Sequence, residues 1–320
     1  MKLKSFPFLA FFFVFAIQFS FAKEKFSFEV SAFAGIKYGE LSKSIYLNDT
    51  DTKVSMLEWE EKPIYELGLS SEISFFNFYV LTSFSAGLPL EVGKMYDSDW
   101  NLNGLKTTYT ISEETLNQSF DTQINLFYKT PEFFIFRINP SMQVQYMFQN
   151  FTAHDGYGWY GAHQYAKVPR DYDVSWNNEL ARKAKKIQNI DYYRHTLLTF
   201  VGFDFCILPI EKLELSAGFF ISPIAYMYSL DTHHKSSENI HYCDVQTGYF
   251  SKYKVTANIG YKINRKFKIF MDFSAVFGKE DYGDLYADEY SDNLSKFSNQ
   301  PTSSTLKNID FNLGMTFKIK

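Results

Sequence analysis

Three stretches near the C-terminus alternate apolar and polar residues with a period of two. Tyr253, Val255, Ala257, Ile259 and Tyr261 interleave with Lys254, Thr256, Asn258 and Gly260. Phe267, Ile269, Met271, Phe273, Ala275 and Phe277 interleave with Lys268, Asp272, Ser274 and Gly278. Ile309, Phe311, Leu313, Met315 and Phe317 interleave with Asn308, Asp310, Asn312, Gly314 and Thr316. A period of two with one apolar face is a β-strand. In a soluble sandwich the apolar face would meet a second sheet. Here the other face mixes Gly and Ser with Lys and Asp, which suits the polar interior of a transmembrane barrel whose apolar face meets lipid.

The rest of the chain fits that frame. The sequence holds 35 Phe and 23 Tyr, an aromatic load that suits lipid-facing strands. Tight links at Phe76-Asn77, Thr130-Pro131-Glu132, Pro209-Ile210-Glu211-Lys212 and Asn264-Arg265-Lys266 alternate with long polar segments. Short turns on one side and long loops on the other are the outer-membrane arrangement. The pattern predicts an all-β, antiparallel transmembrane barrel of ten strands, near residues 26–40, 54–75, 78–88, 114–129, 133–153, 191–208, 212–232, 248–263, 266–282 and 305–317. These strands are longer than a bilayer requires, so the barrel should extend above the outer membrane. Segments 89–113, 154–190, 235–247 and 283–304 read as external loops. Large inward side chains such as Lys268, Phe270 and Asp272 argue for a filled interior rather than a porin channel.

The N-terminus reads as a secretory signal peptide. Lys2 and Lys4 precede a Phe-rich apolar run over residues 8–21, and Ser20-Phe21-Ala22 offers a cleavage site. Residues 1–22 are thus expected to be removed, leaving 23–320 as one barrel domain. A net charge of −4 offers no basic footprint for nucleic acid. Cys206 and Cys243 read as too far apart in the fold to pair, one near a strand end and the other in a distant loop.

Two short motifs carry the chemistry. Asp97-Ser98-Asp99-Trp100 sets two carboxylates two positions apart, and Asp231-Thr232-His233 sets a carboxylate two residues before an imidazole. Together they supply a carboxylate base and an acid-oriented His, the needs of water-mediated peptide hydrolysis. An Asp-x-Asp pair also occurs in ordinary turns. His233 and His234, with His241, Cys243 and Asp244, have the ligand types for zinc, at spacings that fit no standard site. Parity raises a further question. Leu213, Leu215, Ala217 and Phe219 should face lipid, and Asp231 and His233 fall on the same parity. Either the strand has left the membrane by then, or a bulge, for which Pro223 is the natural place, shifts the phase.

Several motifs, in order, resemble the omptin family of outer-membrane proteases. Val54-Ser55-Met56-Leu57-Glu58-Trp59 is similar to the family's Val-Ser-x-Leu-Asp-Trp, and Met95-Tyr96-Asp97-Ser98-Asp99-Trp100 to its Met-x-Asp-x-Asp-Trp. Phe151-Thr152-Ala153 resembles a family Phe-Thr-Ala, and the run from Glu214 to His233 ends in the family's Asp-x-His. The resemblance implies a surface endopeptidase without metal or cofactor. Asp97 and His233 would hold and activate a water, Asp231 would orient His233, and Asp99 would support Asp97. It implies a monomer in contact with outer-membrane lipid, with the active site on the extracellular side and peptides or proteins as substrates.

The resemblance also marks departures. Family members that cut after basic residues floor the pocket with acids; here those positions map to Lys43 and Ser229, with Glu40 the nearest acid that could substitute. The resemblance therefore does not carry over a dibasic preference. Relatives that bind lipopolysaccharide carry a charged cluster on the barrel's outer face, and Tyr146-Met147-Phe148-Gln149-Asn150 lacks it. This points to an outer membrane without ordinary lipopolysaccharide, or to a binding site elsewhere. The competing reading is an inactive barrel serving as a surface adhesin or structural protein.

Overall fold

The computed structural model describes residues 26–47, 52–100, 106–160, 189–234, 239–288 and 293–319. The expected signal peptide and most of the expected loop 154–190 lie outside these residues. Fourteen antiparallel strand segments follow in chain order: β1 (Phe26–Tyr46), β2 (Lys53–Phe75), β3 (Phe78–Gly87), β4 (Glu91–Trp100), β5 (Lys106–Tyr128), β6 (Phe136–Tyr160), β7 (Ile190–Ile210), β8 (Leu213–Ser222), β9 (Ala225–His234), β10 (Asn239–Gly248), β11 (Lys252–Lys262), β12 (Phe267–Gly278), β13 (Asp281–Asp288) and β14 (Ser295–Lys318). Four pairs of segments lie end to end, β3 with β4, β8 with β9, β11 with β10, and β12 with β13. Ten staves result, and pairing of β1 with β14 closes them into a barrel.

The lower half of the barrel obeys the strand alternation. Leu67, Leu69, Met271, Leu313 and Met315 stand exposed on its outer face, an apolar band that suits lipid rather than water. Tight links close this end. Phe76 adopts a φ of 57° between β2 and β3. Asn264 Oδ1 accepts bonds from the Lys266 and Phe267 amides between β11 and β12. Inside, Lys37 pairs with Glu66 at 2.7 Å and lies 3.6 Å from Asp121 and 3.7 Å from Asp310. Nearer the tight turns lies a cavity of about 370 Å³, lined by Glu72, Lys129, Arg137 and Asp272 among others.

The upper half departs from the sequence reading. The expected loops 89–113, 235–247 and 283–304 are largely strand: β4, the first part of β5, β10, β13 and the first part of β14. The physical reason is the change of solvent. Above the apolar band the outer face meets water, so outward Glu40, Glu60, Lys94, Glu113 and Lys307 replace the apolar signal that marks a strand below. The inside of this upper half holds the main core. Leu41, Leu57, Trp59, Met95, Leu116, Phe151, Tyr192 and Met227 form one buried cluster. Trp59 stacks on Tyr192 at 4.8 Å and lies 6.1 Å from Phe151, so aromatic rings bridge the lumen as a floor.

Interruptions mark the change of regime. Val201 pairs with Ile221 and Leu198 with Ala225, so β8 and β9 carry one residue more than the facing stretch of β7. This bulge, at Pro223-Ile224, is where the sequence parity calls for one. The Thr199 hydroxyl donates to Ile224 O and accepts from its amide, which holds the bulge in place.

Candidate active site

The bulge decides which way β9 faces. Beyond it, Ala225, Met227, Ser229 and Asp231 are buried toward the lumen, and His233 follows on the same face. On the facing wall, β4 docks between β2 and β5. Gly93, at φ 141°, makes this possible: a Cβ there would meet Glu60 O at 2.5 Å. The bulge at this glycine leaves Val92 and Met95 in the apolar floor, with Asp97 and Asp99 above them on the Met95 face. Asp97 lies opposite Leu57 on β2 and Thr110 on β5.

The two motifs meet at one end of the barrel. Burial, then the charges of Asp99 and Asp231, hold the Asp97 carboxyl well above the usual carboxylate range. Asp231 thus lies close enough to act on Asp97 across the lumen. Asp231 Oδ1 faces His233 Nε2 at 3.8 Å, an ion-pair distance rather than a hydrogen bond. Tyr242, opposite Asp231 in the register of β9 and β10, sets its ring edge-on to His233 at 5.2 Å. Burial first, then Asp231, raises the Tyr242 phenol; Lys43 pulls it down, and Asp99 and Asp97 add to the rise.

The expected pocket residues divide. Lys43 and Ser229 enter the lumen, and both are buried. Lys43 Nζ donates to Asp231 Oδ2 at 2.7 Å and pairs directly with Asp244 Oδ2. Ser229, cross-strand from Asp244, donates to the same Asp244 oxygen at 3.4 Å. Burial alone would lower the Lys43 ammonium, but Asp231 and Asp244 outweigh it and hold it charged, well above the ordinary lysine value. Burial pushes the neighbouring Tyr192 phenol up to about 12. Glu40 does not join them. It faces outward and lies 3.5 Å from Lys307, its direct cross-strand neighbour. An odd offset of three residues from Lys43 puts it on the opposite face of β1, so it is no pocket acid.

The alternative zinc cluster also disperses. His241 Nδ1 pairs with the Thr232 hydroxyl at 3.0 Å, and His234 Nε2 with Asp191 at 2.8 Å. Alternation sends Cys243 to the other face from Asp244. Among the described residues, no group of three His, Cys, Asp or Glu could hold a metal. Cys206 and Cys243 are free thiols. The sequence reading missed Tyr242 entirely and placed Asp244 in that cluster. The only signal for either was the register of a hairpin hidden in a polar stretch.

Residues 23–319 match the sequence model of the omptin family. No curated protein matches the chain. Among solved structures, the outer membrane protease OmpT from Escherichia coli is 18% identical, with 94% of this chain and 100% of that chain covered and a TM-score of 0.77. The outer membrane protein OprG from Pseudomonas aeruginosa is 10% identical, covering 93% of this chain and 98% of its own, with a TM-score of 0.36. The likeness to OmpT is one of fold, and the family match runs along nearly the whole barrel. The chain belongs to the omptin family.

Proposed function

We propose that the protein is an outer-membrane endopeptidase that cleaves peptides and proteins at the cell surface, without metal or cofactor. The observation that carries this reading is the convergence of Asp97, Asp99, Asp231 and His233 above an apolar floor. In this mechanism a water held between Asp97 and His233 attacks the scissile carbonyl. Asp97, with its raised affinity for a proton, and His233 share the proton that the water gives up. That proton then passes to the leaving amine. Asp231 orients His233 and stabilises its charged form, while Asp99 keeps Asp97 basic by charge repulsion. The floor of Trp59, Tyr192 and Phe151 excludes water from below, so the charges act in a poorly solvated groove.

The tall end faces the extracellular side, opposite the tight turns, and the barrel works as a monomer in contact with lipid. Lys43 and Ser229 line the substrate pocket. A buried cation there disfavours a basic substrate side chain, so cleavage after neutral residues is expected.

The test is direct. The refolded protein is incubated with a random peptide library, and the cuts are mapped by mass spectrometry. His233→Ala should lower turnover by about 10²–10⁴-fold while the circular dichroism of the barrel stays unchanged. Full turnover in that variant would remove His233 from the mechanism. A folded wild type that cuts no peptide would leave the inactive surface barrel as the reading.

A further inference from the structure

We infer that the chain carries a cation-binding site beneath Asp231 and His233, that its own Lys43 fills this site, and that Asp244 is the acid which would receive an alkylammonium or a substrate's Lys or Arg side chain once Lys43 is removed.

The arrangement is that of a receptor with its ligand in place. A primary ammonium on a four-carbon stem ends between two carboxylates, Asp231 and Asp244, which are 1% and 0% exposed. The site has more acceptors than the lysine can use. Asp231 Oδ1 and Asp244 Oδ1 are buried without a hydrogen-bond partner among the described residues. Two acids and one lysine leave one excess negative charge. The surroundings of the acids are polar: Ser229 is cross-strand from Asp244, Tyr192 is cross-strand from Asp231, and Thr302 adjoins Asp244. Nothing about the acids distinguishes an ammonium of this chain from one brought by another molecule. In the intact protein a second cation would have to be buried against Lys43, which like-charge repulsion forbids. Asp244 is thus a specificity determinant masked by a lysine from β1, not an acid lost from the pocket.

The inference deepens the proteolytic reading, because the site shares Asp231 with the proposed catalytic pair. Its test therefore has one readout free of catalysis. Wild type, Lys43→Ala and Lys43→Ala/Asp244→Asn are refolded as full-length barrels, and urea midpoints are measured with and without millimolar n-butylammonium chloride. Sodium chloride and tetramethylammonium chloride serve as controls at equal ionic strength. Butylammonium alone should raise the midpoint of Lys43→Ala and leave wild type and the double variant unmoved. If Lys43→Ala folds only when butylammonium is present, that too supports the site. No response in Lys43→Ala, or an equal response to tetramethylammonium, overturns it.

The second readout is the peptide library. Cleavage after Lys or Arg, relative to neutral residues, should rise by at least about tenfold in Lys43→Ala. Wild type that already cuts after Lys or Arg with the efficiency of the variant would overturn the masking. The two readings fail separately. A butylammonium response in a protein that cuts nothing keeps the cation site and removes the protease. Cleavage with no ammonium response removes the cation site alone.

Discussion

Two pairs of carboxylates face the same lumen at the same end of the barrel, and their fates differ. Asp97 and Asp99 sit on β4, where no cation pairs with Asp97 among the described residues. Asp231 and Asp244 sit on β9 and β10 with the Lys43 ammonium between them. Asp97, Asp231 and Asp244 are all desolvated, which penalises a charge by several kcal/mol unless it is compensated. On the first wall the penalty appears as a carboxyl held well above its usual range. On the second, burial still pushes Asp244 up, but Lys43 pulls against it. One lysine separates an acid ready to take a proton from an acid locked in an ion pair. The residue type is the same on both walls, and the neighbouring charge decides the role.

The comparison breaks most visibly at Asp97. Asp97→Asn should lower kcat/KM by about 10²–10⁴-fold. It should also stabilise the barrel at neutral pH. The folded-state pKa of Asp97 is raised, so its ionisation opposes folding. That cost sets in as pH rises above the unfolded-state value, grows up to the folded-state value, and stays constant above it. Urea midpoints of wild type and variant should therefore agree at acid pH and diverge toward neutral pH, with the variant higher. A variant less stable at every pH would mean that Asp97 is compensated after all.

On the other wall the sign reverses. Lys43→Met keeps the stem and deletes the charge, which strands two buried carboxylates. The expected loss is about 3–5 kcal/mol of stability, read from urea unfolding. Asp244→Asn should cost less, since Asp231 still holds the ammonium. Equal stability of Lys43→Met and wild type would show that the trio is hydrated, and would erase the contrast between the walls.

The smallest effect sharpens the comparison. Asp99→Asn removes a like charge beside Asp97 and so lowers the Asp97 pKa. The acid limb of the kcat/KM profile should move to lower pH by about one unit or less. A limb that moves up, or stays fixed, would assign that limb to another group.

Much of the fold could be read from the sequence where lipid imposes a rule. Leu313, Met315 and Phe317 must face hydrocarbon, so they alternate, and the alternation reveals β14. Above the apolar band the rule lapses. Tyr242, Asp244 and Gln246 face the lumen while His241 and Cys243 face the other way, a polar mixture that reads as loop although it is strand. Short motifs singled out Asp97, Asp99, Asp231 and His233, which the fold brings to one end of the barrel. The site was not legible where it depends on cross-strand register. Asp244 matters because it faces Ser229 and reaches Lys43, and no local pattern announces that pairing. Glu40 misled for the opposite reason, being near Lys43 in sequence and on the wrong side of the strand.

The extra residue at Pro223-Ile224 works like a change of reading frame. Downstream of it every side chain of β9 is reassigned between inside and outside, without any substitution in β9 itself. Removing that one residue would swap the sets. Met227, Ser229, Asp231 and His233 would turn outward, and Tyr226, Tyr228 and Leu230 would enter the lumen. No sequence of single replacements could reach or undo this arrangement gradually. The number of residues ahead of Asp231 and His233 is therefore as strict a condition of the proposed site as the identity of those two residues.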